Sequence, residues 1–139
     1  MTERYLFRGK REEKREWVVG HYVFLPAAVQ CDGFCGEHRI YVPPKDPDDD
    51  FRFYRIDYRT TGQCTGLLDK NGALIFESDI ADDGYRENSL RGIVKWYEGS
   101  FWLWPFDDTE PPELLGNIFD DLEIIGNIHD NPELITSGT

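Results

Sequence analysis

Hydrophobic and polar positions alternate along most of this chain with a period of two, which is typical of β-strands, and helical periodicity is nearly absent. Clusters of Gly, Asn, Asp and Pro separate the apolar runs and predict turns between strands. The pattern predicts strands at residues 5–9, 17–24, 38–42, 51–56, 92–96, 101–104 and 122–128. The first two are close in sequence, so we expect them to form an antiparallel hairpin.

The clearest turn signal is Asn71-Gly72, where both residues tolerate the positive φ of a tight hairpin turn. β-prone residues flank it on both sides and predict a hairpin within residues 63–76. The charged run 10–16 predicts another turn, whereas residues 46–50, 81–90 and 107–112 predict polar loops. Asn131 before Pro132 predicts a short helical turn near the end of the chain.

These elements indicate a mostly-β fold. The short strands between about residues 75 and 128, closed by a helical turn, suggest a small SH3-like barrel in residues 75–139. Residues 1–74 then form an N-terminal β subdomain. Trp17, Trp96 and Phe101 are the large side chains expected to fill the core.

Composition narrows the class of protein. The 139 residues are 40% hydrophobic and 14% aromatic, which is enough to build a packed interior. No apolar run is long enough for a membrane helix, and the first residues do not resemble a secretory signal, so we expect a cytoplasmic protein that contacts no membrane.

Charge is distributed unevenly. The net charge of -12 lies almost wholly in residues 79–139, which hold 3 Lys+Arg and 14 Asp+Glu. Such a segment repels nucleic-acid phosphates and attracts basic protein surfaces, although solubility alone is the simpler interpretation.

One candidate metal site exists in the sequence. Cys31, Cys35 and His38 lie within eight residues, and Cys64 is the remaining cysteine. Structural zinc usually takes four nitrogen and sulfur ligands from paired motifs, and here only one cysteine pair is present. We therefore predict no metal and no cofactor.

No motif for catalysis is found in the sequence. There is no nucleophile elbow, and neither His21 nor His129 lies in a motif that pairs it with a nucleophile. Asp79, Asp82 and Asp83 could form a carboxylate cluster, but a solvated loop is the simpler interpretation. We predict no catalytic residue and no enzymatic activity.

One segment has the composition of a nucleic-acid-binding surface. Cations and stacking rings alternate near the N-terminus: Arg4, Arg8, Lys10, Arg11, Lys14 and Arg15 with Tyr5, Phe7 and Trp17. Glutamates dilute this basic hairpin, and the acidic second half opposes it. Nucleic-acid binding is therefore an alternative and not the favoured function.

Three segments in order resemble the YopX family of phage and prophage proteins. They are Phe7-Arg8-Gly9-Lys10 with Trp17-Val18 and Gly20; residues 61–67 with Asp69, Asn71-Gly72, Ile75 and residues 77–80; and residues 123–128 with Asn131-Pro132-Glu133-Leu134. Ser78 stands where the family usually has Gly, and residues 28–50 read as a variable acidic insertion.

The resemblance implies a mostly-β fold, an origin in a phage or integrated element, and homo-oligomeric assembly; it implies no particular reaction. We therefore expect a non-enzymatic assembly or interaction protein that forms homo-oligomers and could bind a host or phage protein. The alternatives are a nucleic-acid-associated module that uses the basic N-terminal hairpin, and an acidic DNA mimic that blocks a host DNA-binding protein.

Overall fold

The structure is a computed structural model that describes residues 3–27, 36–84, 90–107 and 109–136. Strands dominate this part of the chain, which confirms the predicted mostly-β class. The strands are β1 (Phe7–Arg11), β2 (Trp17–Pro26), β3 (Gly36–Val42), β4 (Arg52–Leu68), β5 (Leu74–Phe76), β6 (Asp79–Asp82), β7 (Arg91–Tyr97), β8 (Ser100–Pro105), β9 (Glu113–Leu114) and β10 (Glu123–Asn127).

Helical structure is limited to single turns. They are α1 (Leu115–Ile118), α2 (Glu133–Thr136) and 3-10 turns at Glu3–Tyr5 and Phe119–Asp121. The terminal helical turn was predicted, whereas α1 and the 3-10 turns were not. None of the helices in the described ranges has the length and apolar character needed to cross a membrane.

The chain divides into two compact units, which we call the N-terminal unit (Thr2–Gln63) and the C-terminal unit (Cys64–Thr139). The sequence analysis predicted the boundary eleven residues later, after residue 74, because it assigned the Asn71-Gly72 hairpin to the N-terminal subdomain. In the structure β4 contributes to both units: its residues up to Gln63 pair with β1 and β3, and Cys64 and Leu68 pair with β5.

In the N-terminal unit, β1 pairs with both β2 and β4, and β3 also lies between β2 and β4. The predicted β1–β2 hairpin is confirmed, although Tyr5 belongs to a 3-10 turn and not to the first strand. Ile40 and Ile56 are buried at the centre. A Cβ atom on Gly9 would lie 2.5 Å from Cδ1 of Ile56, so this approach of β1 to the core requires glycine.

Strand β4 is much longer than the predicted strand at residues 51–56. Beyond Ile56 the β1–β4 ladder is interrupted, and a side chain supplies hydrogen bonds there. The Lys10 N–H donates to the Thr60 hydroxyl (2.8 Å), and that hydroxyl donates to the Asp57 carbonyl (2.6 Å). The register between β1 and β4 shifts at this point, and the strand continues beyond it.

The Asn71-Gly72 hairpin is confirmed and joins β4 to β5. Gly72 has a φ of +84°, and Leu68 pairs with Leu74. Buried Asp69 fixes the turn, because its Oδ1 accepts the N–H groups of Asn71 and Ala73, each at 2.9 Å.

The C-terminal unit contains a second antiparallel sheet with the strand order β10-β6-β7-β8-β9. Strand β6 corrects the sequence analysis, which placed residues 81–90 in a polar loop. All residues of β6 are buried, and its aspartates are tolerated because each has a partner: Asp79 accepts the Phe76 N–H (2.7 Å) and Asp82 accepts Arg91 Nε (2.8 Å).

The core of this unit is aliphatic, which corrects the expectation that aromatic side chains fill the interior. Its buried members are Ile75, Ala81, Val94, Leu103, Leu115 and Leu122. Phe101 packs against this cluster, but Trp96 is 51% exposed. Trp17, in the N-terminal unit, is half-buried. Among the described residues, Phe76 is a buried aromatic ring, whereas the three aromatic residues expected in the core are not members of the buried cluster.

Candidate interaction surfaces

The predicted basic hairpin is present, and its cations lie against aromatic rings. The Arg8 guanidinium and the Lys10 ammonium lie 4.7 Å and 5.5 Å from the centre of the Trp17 ring. Arg11 lies 4.4 Å from the centre of Tyr54. Each pair is a cation–π contact within the unit. These cations are therefore less available to bind a phosphate group.

An ion network lies at the end of this hairpin. Asp57 accepts Arg15 Nη1 (3.2 Å) and both Nε (3.1 Å) and Nη2 (3.2 Å) of Arg59. The hydrogen bonds from Arg59, and then that from Arg15, lower the pKa of Asp57 to about 2 despite an opposing effect of burial. Asp57 therefore remains ionised at neutral pH and compensates the two arginines.

His38, the one candidate zinc ligand in this unit that the structure describes, belongs to an aromatic stack. Its ring lies 5.0 Å from Tyr58, 4.7 Å from Phe24 and 5.8 Å from Tyr22, and Nδ1 shares a short hydrogen bond with the Tyr22 hydroxyl. Burial raises the pKa of Tyr22, so its hydroxyl stays protonated at neutral pH. Nε2 is buried and, within the described ranges, has no hydrogen-bond partner.

Of the other candidate metal ligands, the structure describes only Cys64. Cys31 and Cys35 lie outside the described residues, and Cys64 is buried in the C-terminal unit. Among the residues that the structure describes, no group of three or more His, Cys, Asp or Glu side chains is placed to hold a metal ion.

The remaining candidate residues are now placed. His21 is exposed on β2, and His129 is half-buried. Asp79 and Asp82 lie on one buried strand but bind different partners, as described above, so they form no shared carboxylate pair. Their roles in the structure are to stabilise backbone and an arginine.

The face of β3 and β4 combines exposed rings with compensated charges, and we call it the β3–β4 face. Glu37 binds two arginines, with its carboxylate oxygens 2.6 Å from Arg39 and 2.7 Å from Arg55. The Arg39 guanidinium also lies 4.1 Å from the centre of Phe53, which is 45% exposed. Phe51, which directly precedes β4, is 68% exposed. This is the largest pair of neighbouring exposed apolar rings described in the N-terminal unit.

The β7–β8 hairpin forms a second surface, which we call the aromatic hairpin. Its strands pair Lys95 with Trp102 and Trp96 with Phe101, and the turn between them places Glu98 and Gly99 at positive φ. Such a two-residue turn matches the twist of the paired strands. The hairpin was predicted, but the exposure of its rings was not.

The sequence analysis missed both surfaces, because it assigned Trp96 and Phe101 to the core and gave no role to Phe51 and Phe53. The sequence feature that could have indicated them is the type of residue that neighbours each aromatic residue on its strand. Arg39, Arg55 and Lys95 alternate with aromatic residues on the same strands, whereas the buried positions carry Ile, Val and Leu. Cations interleaved with rings at a period of two indicate a solvent-facing row.

Two antiparallel sheets define a mostly-β protein, with no helix longer than one turn among the described residues. The comparison with known families gives the same result in more specific terms. Residues 6–136 match the family described as YopX protein, so the chain belongs to the YopX family. No curated protein matches the sequence.

Proposed function

We propose that this protein is a non-enzymatic, phage- or prophage-derived interaction protein that assembles as a homo-oligomer through the β3–β4 face. The observation that carries the proposal is the exposure of Phe51 and Phe53 beside the Glu37–arginine network. Exposed apolar rings surrounded by satisfied charges are characteristic of protein–protein interfaces, in which an aromatic core lies inside a polar rim.

Charge supports the choice of this face. Residues 2–63 contain 11 Lys+Arg and 11 Asp+Glu, whereas residues 64–139 contain 4 and 16. Two copies that met through the C-terminal unit would bring two surfaces of net negative charge together, whereas residues 2–63 of the N-terminal unit have no net charge. The SH3-like barrel inferred for residues 75–139 remains part of the proposal and is supported by one aliphatic core shared by several short strands.

The proposal is tested by measuring molecular mass in solution with sedimentation velocity over a concentration series. We expect the parent to exceed the mass of one chain and the Phe51→Ser, Phe53→Ser double variant to shift towards that mass. The matched control is Trp96→Ser with Tyr97→Ser, which removes two half-exposed rings from the C-terminal unit and should leave the mass unchanged. A monomeric parent at all concentrations, or dissociation only in the control, would contradict the proposal.

The acidic C-terminal unit favours a second candidate function, which is the acidic DNA mimic. Rows of carboxylates present a charge pattern similar to a phosphate backbone and attract basic proteins. This function predicts that the protein displaces duplex DNA from a basic DNA-binding protein, and that the Phe51→Ser, Phe53→Ser variant does so as well as the parent. Failure of the parent to displace DNA at low salt would exclude it.

The nucleic-acid module remains a weaker alternative. It requires Arg8, Lys10 and Arg11 to contact phosphates while they lie against Trp17 and Tyr54. Micromolar DNA binding that disappears when these three cations are replaced by alanine would raise it to first place.

A further inference from the structure

The outer side of the aromatic hairpin already binds one cation. The Lys95 ammonium lies 5.3 Å from the centre of the Trp104 ring, and Tyr97 meets the same ring edge-on at 5.5 Å with an interplanar angle of 78°. The negative face of an indole ring attracts cations, most strongly when other groups keep water away. Because Lys95 already lies against Trp104, a further cation has to contact the part of this ring that lines the groove described next.

Trp104 also lines a groove of about 380 Å³. The other described residues that line it combine carboxylates with rigid rings: Pro105, Asp107, Thr109, Glu110, Pro111 and Pro112. Prolines have few conformations to lose when a ligand binds, so a groove built from them is preorganised.

The carboxylate of Asp107 is held in position at this groove. Its Oδ1 accepts the Thr109 N–H (2.9 Å) and the Thr109 hydroxyl (2.7 Å), and the Glu110 N–H donates to the Asp107 carbonyl (3.1 Å). These two bonds from Thr109 lower the pKa of Asp107, so the group is ionised at neutral pH. The turn thereby presents a fixed negative charge near an indole ring.

We propose that this groove binds an arginine side chain from a basic segment of a partner protein. A guanidinium group can stack on Trp104 and at the same time donate hydrogen bonds to Asp107 and Glu110, which a compact ammonium group does less well. The excess of acidic residues in the C-terminal unit attracts such a segment and raises its association rate. This binding goes beyond the homo-oligomer, because it uses a different surface and a different partner.

The test measures binding of a fluorescent peptide of alternating arginine and glycine to the full chain by anisotropy, at about 50 mM salt where the charges are weakly screened. The variant Asp107→Asn with Glu110→Gln should weaken binding at least about fivefold. Asparagine can still accept both bonds from Thr109, so the turn is kept. The matched control, Asp120→Asn with Asp121→Asn, removes the same charge from another exposed segment and should weaken binding less than about twofold.

The ring is tested separately. Trp104→Leu should weaken peptide binding about as much as the groove variant does, and Trp104→Phe should restore most of it because phenylalanine retains a π face. The same peptide with lysine in place of arginine should bind more weakly, and the glutamate version should not bind. Thermal melts of every variant verify that it is folded.

Three results would overturn the inference: no binding of the arginine peptide by the parent at micromolar concentration, equal weakening by the groove and control variants, or equal binding by the Trp104→Leu variant and the parent. Equal weakening would mean that general charge attraction is sufficient. The outcome is independent of the homo-oligomer, whose test changes Phe51 and Phe53 and measures mass.

Discussion

Ser78 offers a direct test of the backbone, because it has a φ of +76° between β5 and β6. The strands on either side impose this conformation: the Ser78 N–H donates to the Val94 carbonyl (2.8 Å), and the Ser78 carbonyl accepts the Ile128 N–H (3.1 Å). A side chain in the left-handed region costs about 1–2 kcal/mol through the clash of its Cβ atom. Glycine has no Cβ atom and therefore no such clash.

We expect Ser78→Gly to stabilise the protein. Removing the Cβ strain gains about 1–2 kcal/mol, and the greater freedom of glycine in the unfolded chain offsets about 0.4–1 kcal/mol of that gain. The net increase in the free energy of unfolding is about 0.5–1 kcal/mol, which corresponds to a rise in Tm of about 2–4 °C for a chain of this size.

Calorimetry or circular dichroism melts of three variants check this prediction. Ser78→Ala keeps the Cβ atom and should melt close to the parent. Ser100→Gly is the matched control, because Ser100 lies in β8 without a positive φ, and glycine there should lower stability by about 0.5–1 kcal/mol. A Tm for Ser78→Gly equal to or below that of the parent would refute the reasoning from backbone strain.

Four further predictions follow from features already described. Gly72→Val should lower the free energy of unfolding by about 1–2 kcal/mol through its positive φ alone, since no atom lies within 4 Å of the added Cβ; coincident melts would contradict the turn. Asp57 has a lowered pKa of about 2, so the stability that it contributes is present at neutral pH and is lost as pH falls from about 5 towards 2. The Asp57→Asn variant weakens the bonds to Arg15 and Arg59 and should therefore flatten the acid side of a profile of Tm against pH. An unchanged profile would show that the network does not stabilise the protein. Purified protein should contain no stoichiometric zinc and should fold in a chelator, and one zinc per chain by elemental analysis would instead make His38 a ligand. Random duplex DNA should show no mobility shift at about 50 mM salt, because the net charge of -12 opposes phosphate binding, and a clear shift would favour the nucleic-acid module.

The sequence was sufficient to predict local elements that depend on turn chemistry. Asn71-Gly72 predicted the β4–β5 hairpin because glycine supplies a φ of +84° that few other residues adopt. The β7–β8 hairpin was predicted from apolar strands around Glu98 and Gly99. In both cases the residues that decide the structure are adjacent in sequence.

Elements that depend on distant partners were missed. Strand β6 looks like a loop because it contains Asp79 and Asp82, and only the Phe76 N–H and Arg91, which tertiary structure brings into place, make these carboxylates compatible with burial. The strand predicted at residues 38–42 is present as β3, but its pairing with both β2 and β4 was not foreseen in a segment that reads as an insertion.

The candidate surfaces were harder to predict than the fold. A side chain such as that of Trp96 can fill a core or lie on a surface. The alternation of apolar and polar residues along its strand is the same in both cases. Aliphatic residues at the neighbouring strand positions already fill the C-terminal core, which leaves Trp96 outside. That competition for interior volume depends on all strands together and cannot be evaluated from one segment.

The pairing of β1 with both β2 and β4 has a consequence for folding during synthesis. The ribosome releases β1 and β2 early, but the β1–β4 ladder needs residues up to Gln63, which follow β2 about 2–7 s later at about 5–20 residues per second. Throughout this interval the nascent hairpin exposes an unpaired strand edge, which invites aggregation with other chains. Arg8, Lys10 and Arg11 lie on that edge, and charged side chains are the usual protection against such pairing. We therefore expect these cations, which have the composition of a nucleic-acid site, also to oppose strand pairing between nascent chains until β4 is synthesised.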